Sequence, residues 1–514
     1  MLTLFENGTV LTMDESNPVA EALLIRDGRV ALAGKRKELM ELCGGERPRA
    51  FDMGGGTLLP GFIDGHGHIV HTAQSLLFAP LGEARTADDV VNALNRHAHE
   101  RAVPPGEWVI GTGYDPRAVR LNRRTLDRAS GHPVLVTAAS GHAGCMNSRA
   151  LEMCQITKDT PDPPTGRIGR DESGEPNGYL EEGAFEMARA HVPPPSMARL
   201  REGLAAAQRL YASHGVTTAQ EGLLDAAGFA LLKEADESDR LFLDVAAYAD
   251  IRNPPPGAVG LRGKRLRVLG YKLFLDGSPQ GRTAWLSEPY LPVEKGERGY
   301  PAATQAQARA AVRRAAREGV QLLTHCNGDA AIDRLLDVHQ EKSRTRNVIV
   351  HAQLMRRDQL PRVKALGLMP SCFVAHVDVY GDTHIENLGL ERASRISPLK
   401  STCDMGIPFT LHQDSPVMPP NMLHTLYCAM ARYTRGGALL GADERIGLHE
   451  ALKAVTVYGA YQHFEENEKG ALRPGMRADL VLAEGDIRAC PPEELANRRV
   501  KGTWKDGGRV FTDK

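Results

Sequence analysis

Leu58-Leu59-Pro60-Gly61-Phe62-Ile63-Asp64-Gly65-His66-Gly67-His68 opens on an apolar run and ends on ionisable side chains. The run is short and bounded by turn residues, which reads as a buried strand over Leu58–Asp64. In an extended segment residues i and i+2 point the same way, so His66 and His68 place two imidazoles on one face. Imidazole is the commonest side-chain ligand for a metal ion. An HxH pair alone is a weak signal, because most such histidines are merely hydrogen-bonded. Its weight depends on whether the rest of the chain repeats the pattern.

It does. Working outward, short apolar runs recur at Val216–Glu221, Phe242–Ala249, Val268–Leu275, Gln321–His325, Val348–Gln353, Leu368–His376 and Phe409–Asp414. Helical patterns lie between several of them; Met197–His214 and Gln305–Glu318 are Ala- and Arg-rich with apolar spacing near 3.6. Strands alternating with helices predict an α/β fold with a parallel sheet, here a (β/α)8 TIM-type barrel. Such barrels carry their chemistry at the C-terminal ends of the strands. His325, His351 and Asp414 stand at or just after the ends of their runs, and Lys272 lies inside the fourth. An ionisable group in an apolar strand is costly unless it is paired or metal-bound. Any one of them reads equally well as a satisfied core residue; the set together points to one cation-binding centre.

Lys272 needs its own account. An ammonium beside divalent cations is repelled, and burial lowers its pKa. It is therefore neutral or modified. A carbamate formed with carbon dioxide would make it an anionic oxygen ligand able to bridge two metals. The alternative is that Lys272 pairs with Asp276 or Asp414 while a single metal binds elsewhere. Asp276-Gly277 reads as a strand-ending turn, and Asp329 as a cap for a helix starting at Ala330.

The two ends of the chain are β-rich: Leu2–Phe5, Ala22–Arg26, Arg29–Gly34 and Arg49–Met53 at the start, Asp479–Ala483, Arg499–Lys505 and Arg509–Thr512 at the end. Together they predict one small β-sandwich domain, residues 1–57 with 465–514, flanking a barrel over 58–464. Gly54-Gly55-Gly56 lacks the GKS/GKT ending of a phosphate loop and reads as a hinge between the two. The gap after the first strand far exceeds a βα unit. Residues 72–200, approximately, read as an insertion over the barrel mouth, a lid that forms part of the substrate pocket.

Composition narrows the partners. With 514 residues, 42% hydrophobic and 25% charged, the chain is an ordinary globular one able to bury a large core. A net charge of −1 gives no field for nucleic acid or an anionic membrane, so a small-molecule substrate is expected. The N-terminus has no basic segment followed by an apolar core, and no apolar stretch is long enough to span a bilayer. The eight cysteines are scattered, with no CxxC pair, which favours free thiols and a cytoplasmic location.

The motifs resemble the amidohydrolase superfamily, in particular amidohydrolase family 3 and its N-substituted formamide deformylase-like members. The resemblance covers nearly the whole chain. It is carried by Leu59–His68, Lys272-Leu273-Phe274-Leu275-Asp276-Gly277-Ser278-Pro279-Gln280-Gly281, His325-Cys326-Asn327-Gly328-Asp329, His351-Ala352-Gln353, Asp414-Ser415-Pro416-Val417 and Lys469–Gly475 with Ala478-Asp479-Leu480. It implies metal ligation by His66, His68, Lys272, His325, His351 and Asp414, usually of one or two zinc ions. It implies hydrolysis of a carbon–nitrogen bond by metal-activated water, with Asp414 as general base and His376 or His142 donating to the oxyanion. The segment after His376 departs from the family signature, with Val377, Asp378 and Val379 where aromatic residues stand in relatives. That departure puts the relatives' substrate in doubt here, though not the metal site. Cyclic amides, esters or lactones are alternative substrates on the same site, and a catalytically silent binding homologue is the alternative outside enzymes. A homodimer is compatible with the resemblance, which does not fix the oligomeric state.

Overall fold

The computed structural model describes residues 2–116, 118–129, 131–138, 143–163 and 166–513. The chain divides into two compact units, Met1–Thr72 with Ala205–Lys514, and Ala73–Leu204.

The first unit is built on an eight-stranded sheet in which every neighbouring pair is parallel. Its strands follow chain order: Phe62–Ile63, Val216–Leu224, Asp244–Asp250, Leu266–Phe274, Gln321–Cys326, Val348–His351, Met369–Cys372 and Thr410–Leu411. The fold is mixed α/β around a curled parallel sheet. These strands are buried along nearly their whole length, which is why they read as apolar runs rather than as alternating patterns. The helix Gln305–Glu318 shows how the sequence sets a connecting element. Thr304 accepts from the Gln307 N–H while the Gln307 side chain returns to the Thr304 N–H, and Gly319 at φ 67° ends the helix. Its buried residues Ala308, Ala311, Val312 and Ala315 recur at helical spacing.

Three strand readings need correction. Leu58–Asp64 is two strands: Thr57–Pro60 pairs antiparallel with Leu480–Ala483, and after Gly61 the chain changes sheets, Phe62–Ile63 joining the parallel one. The change of sheet therefore falls at Gly61. Gly54-Gly55-Gly56 is not a hinge to the parallel sheet but a turn between Arg49–Asp52 and Thr57–Pro60. The seventh strand stops at Cys372, and His376 opens the helix His376–Leu388 instead of ending a strand. The eighth is paired only over Thr410–Leu411, and the backbone enters the left-handed region at Asp414, φ 55°.

Both chain ends contribute to two further sheets. One has the order Arg29–Gly34, Ala22–Arg26, Leu2–Glu6, Arg49–Asp52; the other runs Gly508–Thr512, Val500–Lys505, Leu480–Ala483, Thr57–Pro60, Thr9–Leu11, Val19–Ala20. They share one core, in which Phe5, Leu23 and Ile25 of the first meet Leu58, Leu480 and Trp504 of the second. Phe5 and Trp504 pack edge-on at 5.2 Å between ring centroids.

A buried charge network ties these sheets to the N-terminal end of the third parallel strand. Asp244, its first residue, is bound by Lys469, by Lys505 at 2.9 Å and by Arg265 at 3.1 Å. Lys505 also holds Asp479 at 2.7 Å, and Lys469 holds Glu465 at 3.1 Å. Burial alone would raise the Asp244 carboxyl, but the two ammonium groups overwhelm it and hold it far below the usual carboxylate range.

The second unit has its own six-stranded sheet, ordered Gly166–Arg170, Pro176–Glu182, Ala143–Met146, Val134–Ala138, Val109–Tyr114, Ala79–Pro80. The helix Ala87–Glu100, capped by Thr86 and Asp89, buries Val90 and Leu94 in a core with Val109 and Val136. All eight cysteines carry free thiols. Among the described residues no helix is long and apolar enough to cross a membrane.

Candidate metal centre

The C-terminal ends of the parallel strands converge on a cluster of imidazoles around one carboxylate. Ligand atoms of His66, His68 and Asp414 all lie within 4.8 Å of one another. Asp414 Oδ1 is 3.3 Å from His68 Nε2 and 3.7 Å from His66 Nε2. It is nonetheless a buried oxygen with no hydrogen-bond donor. Lys272 Nζ sits 3.0 Å from His66 Nε2, and Asp414 Oδ2 lies 3.9 Å from His351 Nε2. His351 Nε2 and His325 Nδ1 face each other at 3.1 Å. The backbone is held in the left-handed region at His351 (φ 70°), Ala352 (φ 48°) and Asp414 (φ 55°), a strain that clusters where side chains must be aimed.

The outer nitrogens of His66, His68 and His325 each meet a neighbouring acceptor. Gln220 Nε2 donates to the Gly65 carbonyl at 2.9 Å, so its Oε1 is the atom facing His66 Nδ1 at 2.7 Å. The His66 proton is therefore on Nδ1, and its Nε2 lone pair points into the cluster. Glu221 lies 3.4 Å from His68 Nδ1 and is itself held by the Val70 and Leu223 N–H groups. His325 Nε2 meets the Gly277 carbonyl at 3.1 Å, leaving Nδ1 toward His351. The ring of His66 fits only because residue 222 is glycine: a Cβ there would stand 2.2 Å from His66 Cε1.

Electrostatics agree with the geometry. Burial keeps His66 and His351 neutral, far below the usual imidazole range, and pushes His325 down to about 4. Burial also opposes charge on His68, but the carboxylates of Asp414 and Glu221 outweigh it and raise the ring to about 9. Burial lowers Lys272 to about 8. Burial would raise Asp414 as well, yet the close His68 ring and the surrounding imidazoles hold it well below the ordinary value. The neutral rings of His66, His325 and His351, with His68 and the Asp414 carboxylate beside them, make a nitrogen–oxygen donor set that fits a divalent cation.

All six residues expected as ligands are thus neighbours in the cluster. Among the described residues no carboxylate lies within ion-pair distance of Lys272, so the alternative reading, a pairing with Asp276 or Asp414, is not made. Asp276 instead accepts the N–H groups of Trp285, Asn327 and Gly328. Asp329 is not the cap but the first helical residue, and its carboxylate binds Ser287 and Arg356. His376 is off the cluster. Its Nδ1 meets His384 Nε2 at 3.2 Å, and it packs on the Phe373 ring, whose centroid lies 4.5 Å from His376 and 5.3 Å from His412. His142 falls outside the described residues. Gln220, Glu221 and His412 were not singled out in the sequence; His412 lies two residues before Asp414, just past the last paired strand residue, Leu411.

These features define a class: a parallel α/β scaffold with a histidine–carboxylate metal centre at the strand ends. The chain belongs to the amidohydrolase family, whose model matches residues 49–511. It is 28% identical to the N-substituted formamide deformylase of Arthrobacter pascens, over 98% of this chain and 96% of that one. A metal-dependent hydrolase from Pyrococcus furiosus superposes with a TM-score of 0.77 at 25% identity, covering 94% of this chain and 98% of that one. A second such hydrolase, from Pyrococcus horikoshii OT3, superposes at 0.79 over 96% and 99%, with 24% identity.

Proposed function

We propose that this protein hydrolyses the carbon–nitrogen bond of a small amide, an N-substituted formamide being the leading substrate class. The observation that carries the reading is Asp414 Oδ1: buried, without a donor, and facing the Nε2 atoms of His66 and His68. The deformylase relative supports the bond type. The eight parallel strands are read as a closed (β/α)8 barrel. The approach of the outer strands favours closure, since a Cβ on Gly65 would lie 2.6 Å from Thr410 Oγ1 and the His68 N–H donates to the Ser415 carbonyl.

His66, His68, His325, His351 and Asp414 would hold the cation, zinc being the best match to this donor set. Lys272 would join them as a carbamate, its nitrogen bonding to the carbon of carbon dioxide and releasing a proton. When bound, a divalent cation polarises the substrate carbonyl and lowers the pKa of water toward neutrality. Asp414 takes the proton of the attacking water and passes it to the leaving nitrogen, so that an acid and an amine result. His376, with Nδ1 engaged by His384, keeps Nε2 for the carbonyl oxygen as negative charge develops on it.

A turnover screen tests the proposal. Metal-depleted protein, with and without added zinc, is offered formamides, acyl-amino acids, cyclic amides, esters and lactones. Zinc-dependent release of amine from a formamide or another linear amide is the expected result. Turnover of esters or lactones with none of any amide would overturn it. Intact-mass analysis for one added carbon dioxide, abolished in Lys272→Ala, tests the carbamate.

A further inference from the structure

Two of the metal-facing rings have an evident partner behind them: Gln220 takes the outer proton of His66 and Glu221 stands behind His68. His351 has one too, and it is another imidazole. His412 is fully buried, and its Nε2 lies 3.2 Å from His351 Nδ1. Its own Nδ1 lies 3.0 Å from the hydroxyl of Ser371, a buried residue of the neighbouring strand Met369–Cys372. The chain Ser371–His412–His351–His325 is continuous, each link between 3.0 and 3.2 Å.

Such a chain has two proton arrangements. In one, His412 donates from Nε2 to His351 Nδ1. His351 then carries its proton on Nε2, the atom that faces Asp414, and that lone pair is lost to a cation. In the other, His351 donates from Nδ1 to His412 Nε2, and His412 donates from Nδ1 to the Ser371 hydroxyl. Only this second arrangement leaves His351 Nε2 free.

We propose that His412 is a positioning residue of the metal centre: by accepting the Nδ1 proton of His351 it presents the His351 Nε2 lone pair to the cation. The inference rests on the metal-centre reading above. Outer partners of ligating histidines typically change metal affinity by about 10–100-fold. His412 acts through His351 and itself touches neither cation nor substrate.

Zinc affinity, measured by competition with a chromogenic chelator, tests this in the full-length protein. His412→Leu should weaken binding by about 10–100-fold. His412→Gln, whose amide oxygen can accept, should recover most of that loss. The metal-free variants should melt near the wild type. In wild-type protein labelled with 15N at histidine, zinc loading should give His351 metallated through Nε2 with its proton on Nδ1. Unchanged zinc affinity in a folded His412→Leu protein overturns the proposal. So does an equal loss in the leucine and glutamine variants. If the leucine variant does not fold, the spectrum decides, and His351 metallated through Nδ1 overturns it. A wild type that takes up no zinc, manganese or iron is a different failure, that of the metal-centre reading itself.

Discussion

The parallel sheet carries buried ionisable clusters at both of its ends, and they are built on opposite principles. At the N-terminal end, Asp244, Asp479 and Glu465 are matched by Lys469, Lys505 and Arg265 at hydrogen-bonding distance. At the C-terminal end, five imidazoles and a lysine gather around the carboxylate of Asp414, one of whose oxygens has no donor. A buried charge is tolerable when its partners are supplied by the protein itself. The contrast separates a cluster whose charges are matched within the protein from one whose groups are of metal-ligand type.

The sharpest break in the comparison is Asp414→Asn. It should lower amide turnover by about 10²–10⁴-fold, the usual contribution of general acid–base catalysis. Near-wild-type turnover would remove Asp414 from the chemistry. Asp244→Asn should do the reverse. Stripping the anion from two buried ammonium groups costs about 3–5 kcal/mol of stability, read by denaturant unfolding, with turnover per folded molecule unchanged. Glu221→Gln should weaken zinc binding by about 10–100-fold in a chelator competition, since it removes the carboxylate behind His68.

The smallest effect is one of pH, and the two ends should fail in opposite directions. His68 is raised from 6.5 to about 9, so its pairing stabilises the metal-free fold fully below pH 6.5 and fades as pH climbs through 9. Asp244 is depressed below 3.8, so its network stabilises fully above pH 3.8 and fades as pH falls further. Melting temperatures across pH, with and without chelator, should show an alkaline loss that added zinc abolishes and an acid loss that zinc does not touch. An alkaline loss that persists with zinc bound would assign it elsewhere.

Much of this was legible in the sequence for a physical reason. Parallel strands buried on both faces must be apolar throughout, so an ionisable residue among or just after them stands out. Hence Lys272, His325, His351 and Asp414 were readable before any coordinates. The helix Gln305–Glu318 announced itself through Thr304, Gln307 and Gly319. The sheet change at Gly61 was hidden, because Leu58–Ile63 is apolar in both of the sheets it serves. His376 was misplaced onto a strand because an apolar run such as Leu368–Ala375 does not say where the ladder stops.

Residue identity and alternation therefore determined, unaided, that six ligand-type side chains sit where strands end, because that pattern depends only on the chain's local period and the cost of burying charge. Which atoms face which was decided in three dimensions alone. Gln220 and Glu221 stand behind His66 and His68 from more than 150 positions away in the chain. His412 stands behind His351 across the sheet, and the matched cluster at Asp244 joins a strand from the middle of the sequence to one near its C-terminal end. Proton placement on an imidazole depends on the neighbour at its outer nitrogen, and a neighbour brought by folding leaves no mark in local sequence.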